Sequence, residues 1–127
     1  MRVARRAADH QMLLDKQACR AAMKAAEQCL KTATDKMRVA MKTAEDAYKA
    51  SMTAAKTQLE AAKIAAAALP DEDAREAAME AARHAFEDAM AAAQNTLRLA
   101  KRAAETQMRT DKKACGPLVA ARATYKR

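Results

Sequence analysis

The chain has very few of the residues that interrupt helices or stack on nucleobases. Its 127 residues include one Gly, two Pro, one Phe, two Tyr and no Trp. Gly and Pro are the least favourable residues in a helix interior, so their scarcity predicts long helices and an all-α fold. Proteins that bind single-stranded nucleic acid stack bases on aromatic side chains, and a chain with three aromatic residues is poorly equipped to do so.

Long apolar runs are also missing from the sequence. The longest, from Ile64 to Leu69, is far shorter than the roughly 18 to 20 apolar residues that cross a bilayer, so no membrane-spanning segment is predicted. The opening residues, Met1 to Ala8, are basic and free of acids, like the start of an organelle transit peptide. We therefore expect an intracellular location, with an organelle as one alternative.

The sequence contains no pattern that is typical of a catalytic or metal site. Its three cysteines, Cys19, Cys29 and Cys115, form no CxxC pair, and its two histidines are far apart along the chain. A two-helix hairpin forms no pocket in which carboxylates or a nucleophile could meet. The sequence therefore predicts a protein that is not an enzyme and that holds no metal or cofactor.

Helical geometry constrains the cysteines further. Cys19 and Cys29 are about 15 Å apart along one helix and cannot bond to each other. Cys115 would reach either of them only if the facing helices slipped by several ångströms from the mirror pairing described below. We expect three reduced, half-buried thiols.

Two breaks divide the helical pattern. Pro70, followed by acidic residues, ends one helix and suits the start of the next, and Gly116 with Pro117 marks a second break. The prediction is a single domain, 1–127, with a helix at 3–68, a turn at 69–71, a helix at 71–115 and a basic tail at 116–127. The predicted fold is a long antiparallel helical hairpin. A three-helix bundle is the alternative, if the first helix breaks near Thr34.

What the chain has in abundance is alanine and methionine, with the larger apolar residues in an 11-residue repeat. An 11-residue repeat corresponds to about 3.67 residues per turn, which keeps one face of a nearly straight coiled coil in register. The larger residues also mirror each other about Pro70, as Tyr48 and Met90 do, with small alanines such as Ala44 between them. The predicted protein-interaction seam comprises Met12, Cys19, Met23, Leu30, Met37, Met41, Tyr48, Met52, Leu59, Met79, Phe86, Met90, Leu97 and Met108.

The net charge of +8 is unevenly distributed. Residues 69–90 carry −5 and residues 91–127 carry +7, so a hairpin would be acidic at its turn and basic at its open end. Clustered Lys and Arg attract phosphates in a salt-dependent way. The candidate phosphate-binding residues are Arg98, Lys101, Arg102, Arg109, Lys112 and Lys113.

Three functions fit these features. The first is a non-enzymatic structural or assembly subunit that docks into a larger protein complex or forms a homo-oligomer, because an alanine-rich core buries little area. The second is a basic protein that coats nucleic acid through its phosphates. The third follows from residues 43–50, Thr-Ala-Glu-Asp-Ala-Tyr-Lys-Ala, which resemble the repeat of group 3 late-embryogenesis-abundant proteins. That resemblance implies an amphipathic lipid-surface or stress-protectant protein.

Overall fold

The computed structural model describes the backbone of residues 2–126 and the side chains of residues 2–121. It contains three helices, α1 (Arg2–Ala67), α2 (Glu72–Ala114) and α3 (Gly116–Lys126), and no strand within the described backbone. The two long helices pack together. The prediction of an all-α fold built on a helical hairpin is confirmed.

The first helix runs without a break through residues 32–35, where the sequence left a split open. The hydroxyl groups of Thr32 and Thr34 donate hydrogen bonds to the carbonyl oxygens of Gln28 and Leu30, at 2.9 and 3.0 Å. A threonine that bonds four residues back satisfies its hydroxyl inside the helix instead of capping a new one. Splitting of α1 into two helices of a bundle is therefore not observed.

The connection between α1 and α2 is held by its own polar groups. The amide of Ala74 donates to Asp71 Oδ2 at 3.3 Å, which caps the start of α2. The Arg75 guanidinium donates to the carbonyl oxygens of Leu69 and Pro70, at 2.8 and 3.2 Å. The first bond satisfies an amide that the start of a helix leaves without a partner, and the other two satisfy carbonyl oxygens of the connection itself. The predicted turn at 69–71 lies within this connection.

The segment after Cys115 differs from the predicted tail, because it forms the helix α3. Pro117 lies in the first turn of α3, where a missing amide hydrogen breaks no helical bond. The amide of Val119 donates to the Cys115 carbonyl oxygen at 3.0 Å. Gly116 has no positive φ, so it does not form the left-handed cap that would end α2. The predicted basic tail at 116–127 is therefore helical from Gly116 to Lys126, and Arg127 lies outside the described residues.

Contacts divide the chain into two compact units. Unit 1 comprises residues 2–38 and 105–126, and unit 2 comprises residues 39–104. In unit 2 the second half of α1 and the first half of α2 run antiparallel from the turn. Unit 1 contains the first half of α1, the end of α2, and α3.

Each unit is built on rows of very small side chains. The buried residues of unit 2 are Ala44, Ala55, Ala66, Ala82, Ala93 and Ala104, and those of unit 1 are Ala26, Ala33 and Cys115. From Ala33 to Ala66 and from Ala82 to Cys115 these residues recur every 11 positions. Because 11 residues make three turns at this period, each set lies in a straight row along its helix. Among the described side chains, no residue larger than cysteine is buried.

The larger residues of the predicted seam flank these rows. Twelve of the fourteen are half-buried, and Met12 and Met79 are exposed. Ala62 is half-buried, while Ala66 continues the buried row. Two helices approach most closely where side chains are smallest, so alanine occupies the line of contact and the long side chains are displaced to its side.

The predicted mirror register was wrong. It placed Cys29 opposite Arg109, whereas the Cα atoms of Cys29 and Cys115 are 5.9 Å apart. The difference in unit 1 is six residues along α2, or about 9 Å at helical rise. In unit 2 the mirror register placed Glu45 opposite Ala93, whereas Glu45 Oε1 lies 3.7 Å from Lys101 Nζ. The mirror symmetry of the larger residues is a property of the sequence, whereas the alanine rows make the closest contact.

Candidate interaction surfaces

A disulfide bond joins the two long helices in unit 1, between Cys29 and Cys115. The prediction of three reduced thiols was therefore wrong for these two residues, and Cys19 is the free, half-buried cysteine. The disulfide requires Cys115 to face Cys29, whereas the register predicted from the sequence placed Arg109, six residues earlier, opposite Cys29. The signal that could have found it is the spacing of Cys115, which occupies the next 11-residue position after Ala93 and Ala104.

A shallow cleft of about 480 Å³ lies beside this disulfide. Asp111 contributes to its wall: Gln107 Nε2 donates to Asp111 Oδ1 at 2.9 Å, while Oδ2 is buried without a hydrogen-bond partner among the described residues. The cleft is lined by Ala25, Gln28, Cys29, Thr32, Ala33, Lys36, Asp111 and Ala114.

A second groove, of about 360 Å³, runs along one side of the helix pair in unit 2. None of its lining residues is charged, and most are small. They are Ala44, Ala47, Tyr48, Ser51, Ala54, Ala55, Gln58, Ala89, Ala92, Ala93, Thr96, Leu97 and Ala100. The surface of this groove has the same alanine-rich character as the buried rows, which already accept a helix at close range.

Large apolar side chains are exposed in both units. Those of unit 2 include Val39, Ile64 and Leu99, which is 52% exposed on α2. Those of unit 1 include Leu13 and Leu14, on a stretch of α1 in which residues 2–18 are all exposed. Contiguous exposed apolar surface marks a site of association more often than isolated residues do.

The structure divides the candidate phosphate-binding residues between the units. Arg98, Lys101 and Arg102 belong to unit 2, and the other three belong to unit 1. Arg98 donates to Asn95 Oδ1 at 2.8 Å, and Lys101 Nζ lies 3.7 Å from Glu45 Oε1. Arg98 and Lys101 therefore already have polar partners within unit 2.

The positive charge of the protein belongs to unit 1. Its residues include 14 Lys and Arg against six Asp and Glu, whereas those of unit 2 include nine against ten. Part of this excess can be counted from the sequence, because residues 2–31 of α1 carry +4. The candidate phosphate-binding residues predicted from the sequence all lie on α2 instead.

The described side chains include no group of three or more His, Cys, Asp or Glu residues that could hold a metal ion. His84 lies 3.6 Å from Glu80 and 3.8 Å from Glu87, and all three side chains are exposed. No described helix is both long enough and apolar enough to cross a membrane. Comparison with known proteins returns no family model, no curated protein and no solved structure that matches the chain.

Proposed function

We propose that this chain is a non-enzymatic structural or assembly protein that works by self-association, with the small-residue groove of unit 2 receiving a second copy. The observation that carries the proposal is the small size of the residues in the buried alanine rows. Every buried residue of unit 2 is alanine, and a methyl group removes little apolar area from water. Further burial against another helix pair would add the stabilisation that a larger core provides elsewhere.

The groove is suited to a helix pair because it presents small side chains without charge. Ala54 of α1 and Ala92 of α2 both line it and are both exposed. A second helix pair placed there would meet a surface like the one that α1 and α2 already use with each other. Two hairpins packed in this way form a four-helix bundle.

The charge on α2 favours a second copy of the same chain as the occupant. Before Ala92 the helix carries Glu80, Glu87 and Asp88, and after it Arg98, Lys101 and Arg102. If two α2 helices lie antiparallel about a twofold axis near Ala92, the acidic part of each lies beside the basic part of the other. Such self-complementary charge fixes the orientation of an interface.

The test is the mass of the protein in solution by sedimentation, for three versions of the chain. The wild type should be a dimer at micromolar concentration. Ala92→Asp should be a monomer with unchanged helical content, because a carboxylate in the groove would lose its hydration on association. Ala91→Asp is the matched control, since Ala91 is exposed but does not line the groove, and it should remain a dimer.

A fully helical wild type that stays monomeric at low and high salt would contradict the proposal. A dimer that persists in Ala92→Asp would keep self-association but exclude this groove. A wild type that becomes helical only when lipid is added would instead favour the amphipathic lipid-surface function.

A further inference from the structure

Six cations of unit 1 lie on one face of α1. They are spaced by 11, four, four, seven and seven residues, which are the spacings that return to the same side of a helix. All six side chains are exposed. The residues are Arg5, Lys16, Arg20, Lys24, Lys31 and Arg38, and we name them the α1 basic face.

The α1 basic face points away from the core of unit 1. Lys24 precedes buried Ala26 by two residues, and Lys31 precedes buried Ala33 by two. Two residues along a helix are about 200° of rotation, so these lysines project from the side opposite the alanine row. The face is therefore open to a partner without any change in the packing of unit 1.

The cations of this face are not neutralised by neighbouring acids. Four acids lie on this face or next to it in sequence, but none forms an ion pair within 4.0 Å with any described basic residue; they are Asp9, Asp15, Glu27 and Asp35. None of the six cations takes part in an ion pair within that distance in the described part of the chain. This distinguishes them from Lys101 of unit 2, which lies beside Glu45.

We propose that the α1 basic face binds the phosphate backbone of double-stranded nucleic acid without reading its sequence. From Lys16 to Arg38 the face is about 33 Å long at helical rise, which is close to one turn of a duplex. An unbroken helix holds these charges in a stiff line, and a duplex presents phosphates along a similarly stiff line. This activity goes beyond self-association and uses a different unit.

The composition of unit 1 favours a duplex over a single strand or a lipid surface. Tyr125 is the one aromatic residue in its sequence, so there is little on which unpaired bases could stack. The exposed large apolar residues that fall on the same face of α1 are Met12 and Leu13, which are neighbours near its start, whereas a helix that lies in a membrane interface needs a broad apolar face. The phosphates of a paired duplex can be bound through charge, without aromatic or apolar contacts.

The experiment measures fluorescence anisotropy of a labelled DNA duplex, at increasing salt, with the full chain. One variant is Arg20→Gln, Lys24→Gln and Lys31→Gln, on the α1 basic face. The matched control is Lys56→Gln, Lys63→Gln and Arg83→Gln in unit 2, which also removes one arginine and two lysines from exposed helical positions. Circular dichroism checks that both remain helical.

The wild type should bind the duplex with a strong salt dependence. The α1 variant should bind about tenfold more weakly, and its slope of log affinity against log salt should be shallower by about three, one for each lost phosphate contact. The unit 2 control should keep the wild-type slope.

Equal losses in the two variants would overturn the proposal, because net charge alone would then explain binding. A wild type that ignores the duplex but binds vesicles containing phosphatidylserine would overturn it in favour of a lipid surface. If the affinity of the wild type for the duplex did not change with salt, the proposal would be overturned without any variant.

Discussion

Replacing Cys115 with alanine should lower the free energy of unfolding by about 4 kcal/mol, the largest effect that we expect from a single change in unit 1. The bond to Cys29 links residues 86 positions apart in sequence. Closing so long a loop removes much of the conformational freedom of the unfolded chain, and that freedom returns when the bond is lost. Denaturant unfolding followed by circular dichroism measures the change.

Alanine is the appropriate replacement because position 115 continues the alanine row of α2. Ala82, Ala93 and Ala104 precede it at intervals of 11 residues, and Cys115 is 1% exposed. The substitution therefore removes the cross-link and one sulfur atom while keeping the small side chain that the contact requires. Most of the measured change should come from the cross-link.

The control is Cys19→Ala, which removes a half-buried thiol that forms no disulfide. It should change the free energy of unfolding by less than about 1 kcal/mol. Dithiothreitol should reproduce the loss in the wild type and leave Cys115→Ala unaffected. Hydrogen exchange should show the loss of protection in unit 1 before unit 2. Identical unfolding of the wild type with and without dithiothreitol would exclude a stabilising bond.

The substitution Ala93→Asp should destabilise unit 2 by about 3 kcal/mol. Ala93 is buried in the contact between α1 and α2, with the row containing Ala44 and Ala55 on the facing helix. A carboxylate there would lose its water without gaining a partner, and its size would force the helices apart. Thermal unfolding should shift to lower temperature, measured at a concentration below that of self-association.

Two neighbouring positions provide the controls for this prediction. Ala91 and Ala92 are both exposed, so aspartate at either should cost only the difference in helix propensity, about 0.5 kcal/mol. The three substitutions are chemically identical and lie within three consecutive residues of α2. If Ala93→Asp were no worse than Ala91→Asp, the alanine row would not be the contact between the helices.

The helical content and the position of the turn could be predicted from local features of the sequence. Helix propensity acts residue by residue, and Pro70 with its following acids ends one helix and begins another wherever it occurs. The same local reasoning misjudged Gly116 and Pro117, because the pair is compatible with the end of one helix and with the first turn of another. The burial of Cys115, and the hydrogen bond that the Val119 amide donates to its carbonyl oxygen, favour the second alternative.

The 11-residue period was also readable from the sequence, but it left the buried row undetermined. Large and small residues recur with the same period, so the period alone does not indicate which row lies in the contact between the helices. The larger residues were expected to meet across the helices, whereas Ala55 and Ala93 are buried and Met52 and Met90 lie at the side. Close approach of two backbones favours the smallest side chains, and that comparison can be made only between two helices.

The sequence by itself therefore determined the helices, the turn at Pro70, the period and the excess of positive charge, because each of these depends on neighbouring residues or on composition. The tertiary structure decided the register, the pairing of Cys29 with Cys115, and which cations lie open on α1. Sliding one alanine-rich helix along another changes the local sequence of neither, so only the contacts between the helices distinguish one register from the next.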